Sequence, residues 1–200
     1  MATNNTENVT AGKPKIGGSI FRAPIGTTLP TDAITALPAA FENLGYISED
    51  GLTNGNSTES EQVKDWGGVN VLTTKTSEDD TFKFAMIEFK RKAALQTYWG
   101  DDAVTGTDVE SGLSVAVGGN EDVAHAYVVE KVLKGGVLQR TVIPSATVSE
   151  KEDIEYTNAD AVGLGVTLAC DADANGHTHY EYLQKAPTTT PPAKDVNDGE

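Results

Sequence analysis

The sequence predicts an all-β fold, antiparallel and accompanied by one helix. Hydrophobic residues make up 38% and aromatic residues 6% of the 200 residues, and 20 glycines and 8 prolines supply many turns, which favours short strands over a helical bundle. Alternating runs rich in β-branched residues recur, whereas helical periodicity occurs in one segment. The length suffices for one domain with a sizeable core, or for two small ones.

The N-terminal part combines a polar segment, a short strand and a long connection. Residues 1–16 are polar and predict a flexible arm, although an ordinary frayed terminus has the same composition. Residues 17–23 have a strand-compatible alternation. Residues 24–55 contain prolines and glycines at spacings that restrict the backbone, which predicts a long, ordered connection. Loops of this length inside a domain are usually functional.

Two short helical turns are predicted within this connection. Asp32 is suited to cap the first, which Pro38 prevents from growing. Residues 39–44 predict the second, which Gly45 ends.

The central region predicts a hairpin that is covered by a helix. Residues 69–76 and 81–89 read as two strands joined across residues 78–80, and the second strand is apolar on both faces, so one of them needs a cover. The helix predicted over residues 90–99 supplies it. The segment before the hairpin, 57–64, is polar at nearly every position, so a strand there cannot have both faces in a core.

Further strands follow the helix. A tight turn at Gly135-Gly136 joins two of them. The predicted domain spans residues 17–185, and the polar, proline-containing residues 186–200 predict a disordered tail. The strands are predicted over 113–117, 123–133, 137–143, 146–156, 161–170 and 177–183.

The net charge of −15 argues against a protein that grips nucleic acid, because that function needs clustered lysines and arginines. The charge is compatible with a surface past which nucleic acid slides, since a wall of the same sign as the phosphates repels them. The basic string Lys90-Arg91-Lys92 is more often a solvated helix face than a nucleic-acid site in so acidic a chain.

Two strings resemble metal sites. Asp171, Asp173 and Asn175 match the first half of a calcium-binding EF-hand loop, but position twelve of that loop is a tyrosine here. His177 and His179 share one strand face and form a possible zinc pair without a second ligand cluster. A polar hairpin turn and surface histidines explain both strings more simply, so no metal or cofactor is expected.

Catalysis is not indicated. Cys170 follows an apolar strand, as a buried structural thiol does, and no sequence motif of a nucleophile or a phosphate-binding loop occurs. The carboxylate pairs Glu59/Glu61 and Glu150/Glu152 each lie on one face of a strand. Such pairs serve acid–base catalysis in some proteins, but they are far more often a solvated face.

Residues 23–33 read AP-x-G-T-x-LPTDA, and residues 44–51 read LGYISEDG. In this order and spacing the segment resembles the major tail tube proteins of long, non-contractile-tailed bacteriophages. The likeness extends from about Gly17 to about Leu183, and it is most specific in the N-terminal segment.

The resemblance implies a β-sandwich of two antiparallel sheets with a flanking helix and long loops. It further implies hexameric rings that stack into the tail tube of the virion, assembled in the host cytoplasm, through which DNA passes without specific binding. The implied partners are other copies of the chain and the tape measure, tail-tip and tail-terminator proteins, with no membrane. We expect the inter-subunit loop to include Pro24, Gly26, Pro30, Tyr46, Glu49 and Asp50, and the lumen to be lined by Glu59, Glu61, Glu150 and Glu152.

A different class of function fits the same fold. A β-sandwich surface adhesin or carbohydrate-binding module would carry exposed aromatic side chains in a cleft. Trp66 and Trp99 are the only tryptophans available for this role.

Overall fold

Backbone pairing joins nine strands of the computed structural model into one antiparallel sheet. The structure describes residues 4–119 and 121–186, so nearly all of the predicted tail lies outside the described residues. The strands are β1 (Gly12–Pro14), β2 (Ile20–Pro24), β3 (Glu42–Asn43), β4 (Ile47–Lys64), β5 (Asn70–Met86), β6 (Val104–Thr105), β7 (Ser114–Val115), β8 (His125–Leu133), β9 (Val137–Lys151), β10 (Leu164–Cys170) and β11 (Tyr180–Lys185), with one α-helix, α1 (Lys92–Trp99), and short 3-10 turns at Thr6–Asn8 and Asp101–Ala103.

The sheet folds over so that its two terminal strands lie close together in the chain. Its order is β3-β2-β8-β9-β10-β5-β4, with β1 beside β8 and β11 beside β9, while β6 and β7 pair separately. β3 and β4 lie at opposite ends of this order, yet only residues 44–46 separate them in the chain. The two ends therefore meet, and side chains from both halves share one core. This confirms the predicted all-β sandwich.

The main core lies between the two halves of the sheet and α1. Phe82, Phe84, Tyr127 and Ile143 are buried in it. The helix faces this core with apolar side chains that include Ala94, Leu95 and Tyr98.

The predicted helix is confirmed, although it begins two residues later than expected. Arg91 precedes its first turn and binds the carboxylate of Glu88, outside the apolar face. Gly100 ends the helix with φ +96°, which a side chain disfavours. Among the described residues, no helix is long and apolar enough to cross a bilayer.

The predicted hairpin across residues 78–80 is wrong, because β5 runs unbroken through them. β4 and β5 form a much longer hairpin whose turn is residues 65–69. Asp65 stabilises that turn, since its carboxylate accepts a hydrogen bond from the Val69 amide at 2.8 Å. The polar stretch 57–64 is exposed on both faces, as its composition requires.

The tight turn at Gly135-Gly136 is confirmed between β8 and β9. The strands predicted over 137–143 and 146–156 prove to be one strand, β9, which ends at Lys151. Pro144 lacks an amide hydrogen and cannot donate to the pairing with β8. The pairing shifts register at this proline, and this irregularity lets β9 continue past it.

The helical turns predicted within residues 31–44 are wrong. The Asp32 carboxylate accepts hydrogen bonds from the amides of Ile34 and Thr35, but the chain continues as bends. Residues 42–43 instead extend to form β3 against β2. The side chain of Asp32 thus closes a local turn that no helix follows.

Candidate functional site

One half of the sheet leaves its outer face open to solvent. Along β5 the even-numbered residues from Phe82 to Met86 point into the core, so Lys83 points outward. The register places Lys83 opposite Thr53 of β4 and Thr167 of β10, and Thr167 lies opposite Glu150 of β9. We call this surface of β4, β5, β10 and the end of β9 the open face.

Glu150 and Glu152 both belong to the open face, as their alternation predicts. The Lys83 ammonium lies 2.6 Å from the Glu152 carboxylate, with both side chains about half exposed. This hydrogen bond is the main cause that raises the pKa of Lys83. A Cβ atom on Gly165 would lie 2.0 Å from Oε2 of Glu152, so the glycine leaves the carboxylate room to cross the strand.

Glu59 and Glu61 continue the open face along β4. Their positions have the same parity as Thr53, and Glu59 lies opposite Ser77, whose hydroxyl donates to its carboxylate at 3.3 Å. Six strand residues separate Glu59 from Thr53, which is about 20 Å. The four acids therefore share one face but form two separated pairs.

The distal part of the β4–β5 hairpin projects beyond the rest of the sheet. From residue 56 to residue 79 nearly every residue is exposed. Its end is apolar: Trp66 is fully exposed, and Val63 and Leu72 are about half exposed. An isolated two-stranded ribbon is marginally stable in water, so this segment needs a further contact.

Asp80 marks the point where the hairpin leaves the sheet. This buried carboxylate accepts hydrogen bonds from Asn54 and Thr178, both at 2.7 Å, and contacts His179 Nδ1 at 2.5 Å. These partners come from β4 and from the segment before β11. The carboxylate thus joins the hairpin base to the C-terminal part of the domain.

Replacing this carboxylate should weaken the domain. Asp80→Ala would remove the buried acceptor that Asn54 and Thr178 share, at a cost of about 1–3 kcal/mol. Urea unfolding of the monomer would measure the loss, with the exposed neighbour Asp79→Ala as the control. Equal stability of the two variants would contradict this role.

The other half of the outer face is covered by residues 25–41 of the long connection. Phe41, Leu29 and Leu37 pack there against Val128 and Val142.

Beneath this cover, the buried Arg140 guanidinium binds the Glu130 carboxylate and donates to the Asp32 carbonyl at 2.8 Å. Lys15 adds an ion pair to Glu130 at 2.7 Å. These contacts hold the connection and the residues just after β1 against β8 and β9.

The residues predicted for an inter-subunit loop lie in three different places in the fold. Pro30 is buried within the cover. The others are exposed, and Tyr46, Glu49 and Asp50 lie near the base of the hairpin, whereas Pro24 and Gly26 lie at the end of β2.

The metal-like string forms a turn. The Asp173 carboxylate accepts hydrogen bonds from the amides of Asn175 and His177 and from the Tyr180 hydroxyl, which lowers its pKa to about 2. Its acceptor capacity is thus used within the loop, and His179 contacts Asp80. Within residues 4–119 and 121–186, no group of three or more His, Cys, Asp or Glu residues is arranged to hold a metal.

Cys170 is a partly buried thiol at the end of β10. Burial raises its pKa to about 12, so the thiolate needed for nucleophilic chemistry is scarce at neutral pH.

Sequence reasoning missed the length of the hairpin and the apolar character of its end. The available signal was the recurrence of Val63, Trp66, Val69, Val71 and Leu72 within an otherwise polar stretch, where no core partner was evident.

A family model described as "Phage tail tube protein" matches residues 1–194. No curated protein matches the chain.

Proposed function

The chain belongs to the phage tail tube protein family, and on that premise we propose that its copies form hexameric rings that stack into a conduit for DNA ejection. Membership makes the chain a structural protein of the virion tail that assembles into a polymeric tube. We further propose that the tail is long and non-contractile, that each ring is sixfold and that the tube assembles in the host cytoplasm. The proposed partners are the tape measure, tail-tip and tail-terminator proteins.

The open face is the observation that carries the proposal. A sheet half whose outer face exposes Thr, Ser, Gly and Glu residues together with Lys83 suits the wall of an aqueous channel. β4 is the terminal strand of the sheet order, so its far edge carries unpaired backbone groups. Pairing of that edge with the next copy would close a ring of sheets and remove the exposed edge.

Negative-stain electron microscopy of concentrated protein tests this assembly. Hollow sixfold rings or tubes are expected. Dispersed monomers, even in the presence of the complex that initiates the tail, would overturn the proposal.

Acids on the open face should keep DNA from adsorbing to the channel wall. Reversing their charge with Glu59→Lys and Glu61→Lys is therefore expected to slow or block DNA release while tubes still form, because both side chains are exposed. Infectivity per intact tail measures the effect. The control variant reverses the charge of two exposed acids outside this face, with Asp102→Lys and Glu121→Lys. Normal infectivity of the first variant would contradict lumen placement.

The arm of residues 1–16 and the projecting hairpin are the segments proposed to bridge copies. β1 lies on β8 with all three of its residues exposed. Segments that become ordered only on docking would restrain unassisted growth, since ordering costs conformational entropy. Hydrogen exchange in monomer and tube would test this role, and equal protection in both states would reject it.

A further inference from the structure

We propose that the apolar tip of the β4–β5 hairpin of one copy docks into a groove beside α1 of another copy. This inference rests on the proposed tube assembly and specifies one of its contacts. The tip comprises residues 63–72. The groove is lined by Phe89, Lys90, Leu95, Trp99, Val109, Leu113, Val115, Val117 and Tyr156.

The tip carries an unusual density of exposed apolar side chains. Trp66 is completely exposed, and Val63, Val69, Val71 and Leu72 are between 48% and 62% exposed. Val63 and Leu72 are directly paired across the two strands, so their side chains are neighbours. Contiguous apolar surface of this kind on a folded domain marks an interaction site.

The groove offers a complementary recess. Its volume is about 350 Å³, which lies within the usual range of binding pockets, roughly 300–1,000 Å³. Leu95 and Trp99 of α1 line one side, and Tyr156 packs edge-to-face on Phe89 at 6.0 Å. The lining is mostly aliphatic and aromatic, which suits an apolar side chain better than the hydroxyl groups of a sugar.

The groove cannot be filled by the tip of the same chain. It begins at Phe89, three residues after β5 ends at Met86, whereas the tip lies at the other end of β5. Sixteen strand residues separate Asn70 from Met86, which corresponds to about 50 Å. The tip of one chain can therefore reach this groove only on a second copy.

The same pairing brings opposite charges near one another. Asp65 lies within the tip, next to Lys64, whereas Lys90 lines the groove and Lys92 lies two residues further along the chain. Among the ion pairs of the described residues, neither Lys90 nor Lys92 takes part. Opposite charges of this kind orient an encounter between copies. Since tip and groove are different surfaces, the contact is heterologous and propagates along an assembly.

The test compares the critical concentration for tube assembly, measured by sedimentation of the full chain. We expect Trp66→Ser in the tip and Val117→Asp on the groove rim each to raise the critical concentration about 30-fold or more. A change of this size corresponds to the loss of a central tryptophan contact from an interface. Both residues are exposed, so neither change threatens the fold. Leu183→Ser, an exposed apolar residue on β11, is the control and should assemble as the wild type does.

A cross-link supplies a positive readout. Trp66→Cys and Val117→Cys, combined with Cys170→Ser, should give disulfide-linked multimers in oxidised tubes but not in dilute monomer. This inference alone would be overturned if the wild type forms tubes, both the Trp66→Ser and the Val117→Asp variants assemble at the wild-type concentration, and the double cysteine chain does not cross-link. Absence of hollow particles from the wild type would overturn the proposed function and this contact with it.

Discussion

Shortening the β4–β5 hairpin to its buried base is expected to abolish tube formation and leave the domain folded. Asn56 lies opposite Asp80 in the register, so residues 57–79 can be replaced by the two-residue turn Asn-Gly, which connects antiparallel strands well. The removed segment is almost entirely exposed and contributes nothing to either core cluster. Its loss removes the contacts proposed between copies and few contacts within one copy.

Two measurements separate the outcomes of this truncation. The thermal midpoint should stay within a few degrees of the full-length monomer, and electron microscopy should show no tubes. A full-length chain with Thr73→Ser and Thr74→Ser is the control, since both side chains are exposed and the hairpin keeps its length. Normal tubes from the shortened chain would show that the hairpin does not bridge copies.

Replacement of Arg140 should cost more stability than replacement of Asp80. Arg140→Met removes the buried partner of the Glu130 carboxylate, to which Lys15 remains bound, and the donor to the Asp32 carbonyl. Breaking a buried ion pair from one side typically costs about 3–5 kcal/mol. Urea denaturation of the monomer measures this loss.

A second substitution checks the cause. In Arg140→Met/Glu130→Leu no buried carboxylate is left without its guanidinium, so most of the stability should return. Arg91→Met removes the more exposed pair with Glu88 and should cost less than about 1 kcal/mol. A loss below about 1 kcal/mol in Arg140→Met would mean that the pair does not hold the cover in place.

Local features of the fold could be predicted from the sequence. The helix is recognisable from its apolar arc and its terminal glycine. The turn at Gly135-Gly136 is recognisable from the glycine pair itself. The faces of the two acid pairs follow from strand alternation alone. Each of these inferences depends on residues close together in the chain.

Features that depend on distant partners could not be predicted. The pairing of Arg140 with Glu130 beneath residues 25–41 requires the sheet order and the path of the connection. The acidic run Glu78-Asp79-Asp80 reads as a turn in the sequence, and nothing local shows that Asp80 is buried in mid-strand. The hairpin tip has no core partner within the chain, so its apolar residues gave no periodic signal.

The three residues that join β3 to β4 give the domain a mechanical property. A pull on the hairpin tip along its axis moves β4 and β5 together, so it loads the β5–β10 hydrogen bonds in shear and many of them must fail together. Residues 44–46 pass the remaining tension to β3 and β2 at the opposite end of the sheet, where the Leu44 amide binds the Ile20 carbonyl at 2.9 Å. Force applied at the protruding end is thereby distributed over β10 on one side and over β3 and β2 on the other.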